Sequence, residues 1–249
     1  MQPGKKIRAA VSLLALSVSV LASSAAVAGP ANKIYSPIVE KGETEIELRG
    51  GYRQFDNASD SYAYVLDFGY GVTERWQTEL VIEYAGETGF GGRIEAMEWE
   101  NLFVLTEQGK YWVDVGLLVE YEHTFADGPD ELKIGPLFEK EVGPTIVDLN
   151  LIFEREIGSG ASSDIKLDYG WQVKWRGNEL LEFGVQGFGG LGELSDLGEG
   201  DKHSVGPAVF GLKRLASGNK IAYDAAILAG LNEAAPDMTI RFQLEYEIY

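Results

Sequence analysis

Apolar and polar residues alternate along most of this chain. Between Ile165 and Trp175 every second residue is large and apolar, while lysine, aspartate, glycine and glutamine fill the positions between them. The same period of two runs from Trp76 to Tyr84 and from Ile240 to Ile248. Because successive side chains of a β-strand point to opposite faces, each stretch predicts a strand with one apolar and one polar face.

The strands predicted in this way are numerous and long. About twelve segments follow residue 42, and most contain 9 to 14 residues. A tilted strand needs roughly 9–11 residues to cross a bilayer, whereas strands of soluble sandwiches usually have about five or six. The predicted spans are 43–55, 61–71, 76–84, 93–105, 110–124, 132–141, 145–156, 164–175, 179–189, 203–213, 220–231 and 239–248.

The connections between these strands alternate in length. Tight connections lie at 72–75, 106–109, 142–144, 176–178 and 215–219, and longer ones are centred on 56–60, 86–92, 126–131, 159–163, 190–202 and 233–237. Membrane barrels join their strands by short periplasmic turns and longer outer loops. We therefore expect an all-β fold: a closed antiparallel transmembrane β-barrel of about 12 strands with both termini periplasmic. Aromatic residues lie near many of the predicted strand ends, where a membrane barrel places them at the membrane interfaces. A soluble sandwich is the alternative, because its core can hold the same aromatic residues.

The first 28 residues have the order of a secretory signal. Lys5, Lys6 and Arg8 precede an apolar run from Ala9 to Leu21, and small residues continue to Ala28. The run is too short to cross a membrane as a helix, so we expect a signal peptide that is cleaved near Ala28.

The expected organisation follows from this signal. Residues 1–28 form the signal peptide, residues 29–41 a periplasmic N-terminal segment, and residues 42–249 a barrel in the bacterial outer membrane. The expected partners are outer-membrane lipid, the outer-membrane assembly machinery and a small solute whose identity the sequence leaves open.

The C-terminal strand resembles the assembly signal of bacterial outer-membrane proteins. That signal ends on an alternating strand with an aromatic last residue, and the residues here are Phe242, Leu244, Tyr246, Ile248 and Tyr249. Tyr249 is one position out of the apolar phase, so we expect it to end the strand rather than to face lipid.

A hairpin near the N-terminus, from Tyr64 to Tyr84, carries a family resemblance. Residues 70–76 read Tyr-Gly-Val-Thr-Glu-Arg-Trp and lead into the alternating strand that ends at Tyr84. This pattern resembles a hairpin of proteobacterial barrels and is similar to the outer-membrane transporter family named for the meta-pathway of phenol degradation, or to related uncharacterised barrels. The match covers about a tenth of the chain. The resemblance implies uptake of small compounds, aromatic ones included, and brings no catalytic residues or cofactor.

The polar strand faces are strongly acidic. The formal net charge is −18, and loss of a signal peptide with three basic residues makes it more negative. Nucleic acid is thereby excluded as a partner, because phosphate binding needs clustered lysine and arginine. The predicted lumen-lining residues are Glu79, Glu83, Asp114, Glu120, Glu122, Glu139, Asp148, Glu154, Asp168, Glu182, Asp224 and Glu245. An open lumen with this charge repels anions and concentrates cations.

The two histidines and the absence of cysteine argue against an enzyme or a metal site. His203 precedes Ser204, which points to the opposite strand face, and His123 near Asp127 imitates the Asp-His pair of barrel proteases but is more typical of a loop histidine beside an acid. Two isolated histidines lack metal-ligand spacing, and the acidic loop at 127–131 is more typical of a solvated loop than of a Ca²⁺ site. We expect no enzyme, no cofactor and no metal. The leading hypothesis is a narrow pore or transporter for small solutes; a non-conducting structural or binding barrel is the alternative, and a lipase or protease is less favoured.

Overall fold

A computed structural model describes residues 29–125 and 128–249 of the protein. The predicted signal peptide at 1–28 and Asp127 lie outside the described residues. The strands are β1 (Thr44–Gln54), β2 (Ser61–Thr73), β3 (Trp76–Glu87), β4 (Gly91–Val104), β5 (Asp114–Thr124), β6 (Asp130–Val142), β7 (Thr145–Ile157), β8 (Ile165–Asn178), β9 (Leu181–Glu193), β10 (Asp196–Arg214), β11 (Lys220–Gly230) and β12 (Met238–Ile248). In the described part of the chain, no helix is long and apolar enough to span a membrane.

The strands form one closed antiparallel barrel. Each strand pairs with its neighbours in sequence, and β1 pairs with β12 from Thr44↔Ile248 to Gln54↔Met238. Closure leaves no edge strand with unpaired backbone groups. The prediction of a closed twelve-stranded antiparallel barrel is confirmed.

The two faces of the barrel wall are reversed relative to a soluble protein. On β2, Tyr64, Leu66 and Phe68 are exposed, whereas Val65 and Asp67 between them are buried. Other strands repeat the pattern, with large apolar side chains outside and carboxylates inside. An apolar exterior around a polar interior is the arrangement of membrane barrels, so the alternation predicted from the sequence is present with the expected orientation.

The hairpin between β9 and β10 differs from the prediction. Residues 190–202 were expected to form a loop, but β9 continues to Glu193 and β10 begins at Asp196, with Leu197 paired to Gly192. The pairing register then shifts between Leu197 and Lys202. This stretch is rich in glycine and acids and has no clear alternation, so the side chains do not mark a strand. Backbone pairing extends the hairpin nonetheless.

The exposed apolar belt generates a test of the face assignment. Leu80→Arg should impair folding into liposomes, because a charge facing lipid near mid-membrane costs roughly 2–4 kcal/mol. Gln172→Arg is the matched control, since Gln172 faces the lumen and its Nε2 donates to Asp148 Oδ2 at 2.7 Å. Electrophoresis of unheated samples would measure the folded fraction. Equal folded fractions for the two variants would contradict the assignment.

Candidate functional site: the barrel lumen

The predicted lumen residues all lie on the inner strand face. Eight are buried: Glu79, Asp114, Glu120, Glu122, Glu139, Asp148, Glu154 and Glu182. Four are half-buried: Glu83, Asp168, Asp224 and Glu245. Their role in solute passage stays a prediction.

Strand register places inward carboxylates side by side. Glu100 on β4 is paired in register with Glu79 on β3 and with Glu120 on β5. One pleat away, Glu98 is opposite Glu122. Like charges directly opposite each other on neighbouring strands are destabilising, so this wall needs cations, protons or hydrogen-bond donors nearby.

Basic side chains on the wall supply part of this compensation. Arg49 Nε lies 2.9 Å from Glu47 Oε1, and Arg49 Nη2 lies 2.9 Å from Asp67 Oδ2. On the adjacent strand β12, Arg241 contacts Asp224 and donates to Gln186 Oε1 at 2.7 Å. These ion pairs tie neighbouring strands together below the solvent-accessible surface.

The N-terminal segment, residues 29–41, lies inside the barrel. Lys33 extends into the carboxylates of β1–β3, and its Nζ is 3.1 Å from Glu79 Oε2 and 3.3 Å from Glu47 Oε2. Glu45 and Asp67 oxygens lie 3.7 and 3.9 Å from the same nitrogen. The Lys33 side chain is only 9% exposed. A single ammonium therefore serves four wall carboxylates.

Tyr35 and Ser36 attach the segment to further strands, β4, β6 and β7. The Tyr35 backbone N–H donates to Asn150 Oδ1 at 2.7 Å, and Asn150 Nδ2 donates to Tyr35 O at 2.9 Å. The Tyr35 hydroxyl donates to Glu100 Oε1 at 2.9 Å, and Ser36 Oγ donates to Glu139 Oε2 at 2.6 Å. The segment thus bridges β4, β6 and β7 across the bore.

Inward glycines allow this close approach. A Cβ atom at Gly51 would lie 2.0 Å from the Pro30 carbonyl oxygen, and one at Gly71 would lie 2.0 Å from the Glu40 carbonyl oxygen. Both distances are far below van der Waals contact. Gly51 is near the end of β1 and Gly71 is near the β2–β3 turn, so the segment runs the length of the bore.

The segment leaves the lumen where β1 begins. Gly42 N–H donates to Gly71 O at 2.7 Å, and Lys220 Nζ lies 3.0 Å from Glu40 Oε1 and 2.6 Å from Glu247 Oε2. Partial burial raises the pKa of the Glu40 carboxyl, but hydrogen bonds from Lys220 and Tyr249, together with the positive charges of Lys220 and Arg214, outweigh burial and lower it. The exit of the segment is thereby fastened to both β2 and β11.

This placement differs from the expected periplasmic segment. Nothing in the alternation pattern marks residues 29–41, because the segment pairs with no strand and binds through scattered side chains. The sequence analysis missed Lys33, Tyr35 and Asn150 for that reason. The available signal was compositional: the predicted wall has a large surplus of acids, and Lys33 is a basic residue in the segment that precedes the first strand.

A cavity of about 220 Å³ remains beside the segment on the β8–β12 side. Ile34 from the segment lines it, together with polar wall residues that include Gln172, Glu182 and Asp224. The bore is therefore partly filled rather than packed solid.

The C-terminal residues show the predicted phase. Phe242 and Leu244 are exposed outward, and Tyr246 and Ile248 follow on the same face. β12 ends at Ile248, and the Tyr249 hydroxyl oxygen lies 2.5 Å from Glu43 Oε2 and 2.6 Å from Glu247 Oε2, either of which can accept its proton. Tyr249 thus ends the strand and turns toward the carboxylates of the barrel rim. The assembly role of these five residues stays a prediction.

The two histidines have acidic partners but no serine partner in the described residues. His123 Nδ1 is 2.9 Å from Asp130 Oδ1, near the surface. His203 lies between Tyr169, whose hydroxyl is 2.8 Å from Nδ1, and Asp201, whose Oδ2 is 2.6 Å from Nε2. Ser204 lines the inner side of the wall, away from the outward His203.

The burial of the segment can be tested by thiol labelling, because the chain contains no cysteine of its own. Ser36→Cys introduces a single thiol, which should react slowly with a bulky maleimide because the segment is packed in the bore. Lys33→Gln in the same background should accelerate labelling at least several-fold, since it removes the ammonium that four carboxylates share. Ser159→Cys, on an exposed loop, controls for intrinsic thiol reactivity. Equal labelling rates at positions 36 and 159 would place the segment outside the barrel.

The comparisons with known proteins concern the fold. No family model matches the chain, and no curated protein matches its sequence. The COG4313 outer membrane channel from Pseudomonas putida F1 superposes with a TM-score of 0.55 at 13% identity, covering 84% of this chain and 96% of that one. The NanC porin superposes with a TM-score of 0.54 at 11% identity, covering 82% of this chain and 99% of that one. The protein therefore has the fold of an outer-membrane β-barrel.

Proposed function

We propose that this protein is an outer-membrane channel for small solutes that favours cations and neutral molecules over anions. The observation that carries the proposal is the inner wall, on which carboxylates outnumber the basic groups that contact them. Four buried carboxylates in the described residues, for example, share only two basic groups, Lys33 and Arg49: Glu45, Glu47, Asp67 and Glu79. A bore with this surplus, surrounded by a low-dielectric wall, has a negative potential that draws in cations.

The outer membrane as location is supported by the belt of exposed apolar side chains and by the fold. The secretory character of residues 1–28 agrees with it. We further propose membership of the transporter family named for the meta-pathway of phenol degradation, or of a related barrel family, on the basis of the hairpin at 64–84. The fold likeness to a channel and a porin is in keeping with a channel function.

The N-terminal segment sets the width of the proposed pathway. A twelve-stranded barrel is wider than an eight-stranded one, whose interior side chains alone nearly fill, and narrower than a sixteen-stranded porin. Here Lys33, Tyr35 and Ser36 occupy the centre of the bore and bind its walls. Passage then depends on the remaining space beside the segment, so we expect small solutes and low conductance.

The same segment favours the second candidate, a non-conducting structural or binding barrel. If its contacts with both walls persist at all times, the bore is closed. The acidic wall then serves to hold the segment rather than to select ions. Conductance measurements on the same protein distinguish the two candidates.

Ion selectivity tests the leading proposal. In planar bilayers with a KCl gradient, the reversal potential should show K⁺ permeating better than Cl⁻. The preference should weaken in about 1 M salt, where the Debye length falls from roughly 10 Å at 0.1 M to roughly 3 Å. Combined Glu79→Gln and Glu83→Gln should reduce it, whereas Glu74→Gln in the exposed β2–β3 turn should leave it unchanged. An anion preference in an open channel would refute the electrostatic argument.

Removal of the segment tests its part in the pathway. A chain that begins at residue 41 after a signal peptide should form channels with severalfold larger unitary conductance, because the side chains that cross the bore are gone. Single-channel recording of both forms measures this. A silent full-length protein together with a conducting truncated one would identify the segment as a plug and favour the non-conducting barrel. Identical conductance would show that the segment does not lie in the pathway.

A further inference from the structure

Three inward carboxylates on β4 and β5 come close enough to share one ion. Oxygen atoms of Glu98, Glu120 and Glu122 all lie within 4.8 Å of one another. Glu98 and Glu122 are opposite each other in the strand register, and Glu120 is on the same face two residues before Glu122. Their proximity is built into the sheet and does not depend on a loop conformation.

Lys133 is the basic residue that contacts this group. Its Nζ lies 2.7 Å from Glu120 Oε1 and 2.7 Å from Glu122 Oε2. One ammonium therefore faces three carboxylates, and Glu98 makes no ion pair with a basic group in the described part of the chain. The group has a surplus of negative charge in a place that is almost closed to solvent.

Unpartnered oxygens flank the group on both sides, and they are a separate observation from its acidity. Glu131 is next to Glu122 in the register, is only 4% exposed, and makes no hydrogen bond or ion pair within the described residues; its Oε2 is buried. Glu100 is next to Glu120, is 2% exposed, and uses Oε1 to accept from Tyr35, while its Oε2 is buried without a partner. Buried carboxylate oxygens normally have donors or cations, so both oxygens are free to accept a further donor or to bind a cation.

We propose that Glu98, Glu120 and Glu122, with Glu131 and Glu100 beside them, bind a divalent cation inside the barrel, with Ca²⁺ preferred over Mg²⁺. We call these five residues and Lys133 the carboxylate cluster. Ca²⁺ accepts six to eight oxygen ligands in flexible geometry, including bidentate carboxylates. Mg²⁺ requires near-octahedral geometry and usually retains several waters, which a crowded and largely closed wall accommodates poorly.

Lys133 competes with the metal for the same oxygens. Binding of a divalent ion places two positive charges where one ammonium serves two carboxylates, so Lys133 has to move away from Glu120 or Glu122. Removal of the Lys133 charge should therefore strengthen metal binding. The inference stands whether or not the barrel conducts, since the cluster is part of the wall.

Calorimetric titration of the refolded full mature protein with CaCl₂ in detergent at neutral pH tests the proposal. We expect saturable Ca²⁺ binding with a dissociation constant in the submillimolar to millimolar range, as in extracellular Ca²⁺-binding modules. MgCl₂ should bind more weakly. Glu98→Gln and Glu131→Gln should each weaken Ca²⁺ binding by about tenfold or more, at least the loss that outer-shell ligand partners cause elsewhere. Folding of each variant is checked by its migration in unheated electrophoresis.

Two matched variants locate the ion. Glu139→Gln removes an equally buried inward carboxylate whose partner is Ser36, and it should not change Ca²⁺ affinity. Glu245→Gln tests a second group of close carboxylates, Glu43, Glu45 and Glu245. If Glu245→Gln abolishes binding while Glu98→Gln does not, the site is at the rim and the proposal is wrong.

Lys133→Gln guards against misfolding as an explanation. It should raise Ca²⁺ affinity severalfold while it migrates as a folded barrel in unheated electrophoresis, a combination that a damaged barrel does not give. If neither the wild-type protein nor Lys133→Gln binds Ca²⁺ at millimolar concentration, then protons or monovalent ions neutralise the cluster and the proposal fails.

Discussion

The structure depends on pairing every backbone polar group within the membrane. Hydrocarbon offers no water to unpaired N–H and C=O groups, so a sheet can cross it only by closing on itself. Pairing of β1 with β12 achieves that closure over eleven residue pairs, from Thr44 to Gln54. Once the cylinder is closed, the period of two sends one set of side chains to lipid and the other to the interior, and every later property of the molecule follows from the second set.

Closure concentrates the acids. In an open sheet exposed to water, Glu47, Asp67 and Glu79 would each be solvated. In the barrel they are almost completely buried and face a common interior. Lys33 brings a positive charge to the place where these carboxylates converge, and the inward glycines Gly51 and Gly71 leave room for the backbone that carries it. The interior is thus organised around charge compensation: the segment supplies one positive charge to this excess of acids, and the carboxylate cluster is a part of the wall where the excess remains.

The wall of the barrel was predictable from the sequence, but its contents were not. In a stretch such as Ile165 to Trp175, the alternation predicts a strand, its length and the side of the sheet on which each side chain lies. The inward position of Glu79 or Glu122 follows directly. The location of Lys33 does not follow from the alternation, because it depends on contacts with residues 12 to 46 positions away. Likewise, the proximity of Glu98 and Glu122 depends on the β4–β5 register, which residue spacing within a single strand does not reveal. The hairpin at 190–202 was missed because backbone pairing there proceeds without side-chain alternation.

The path of residues 29–41 also constrains the order of assembly. The segment runs the length of the bore, is continuous with β1, and is held by Tyr35, Ser36 and Lys33 on several strands. Threading it through a finished cylinder would require its polar groups to pass a wall with which they make many contacts. A sheet that is still open can instead curl around the segment, with Lys33 already seated among the carboxylates of β1–β3. The hydrogen bonds between β1 and β12 then form last. The strand that carries the N-terminal segment is therefore also the strand that closes the barrel.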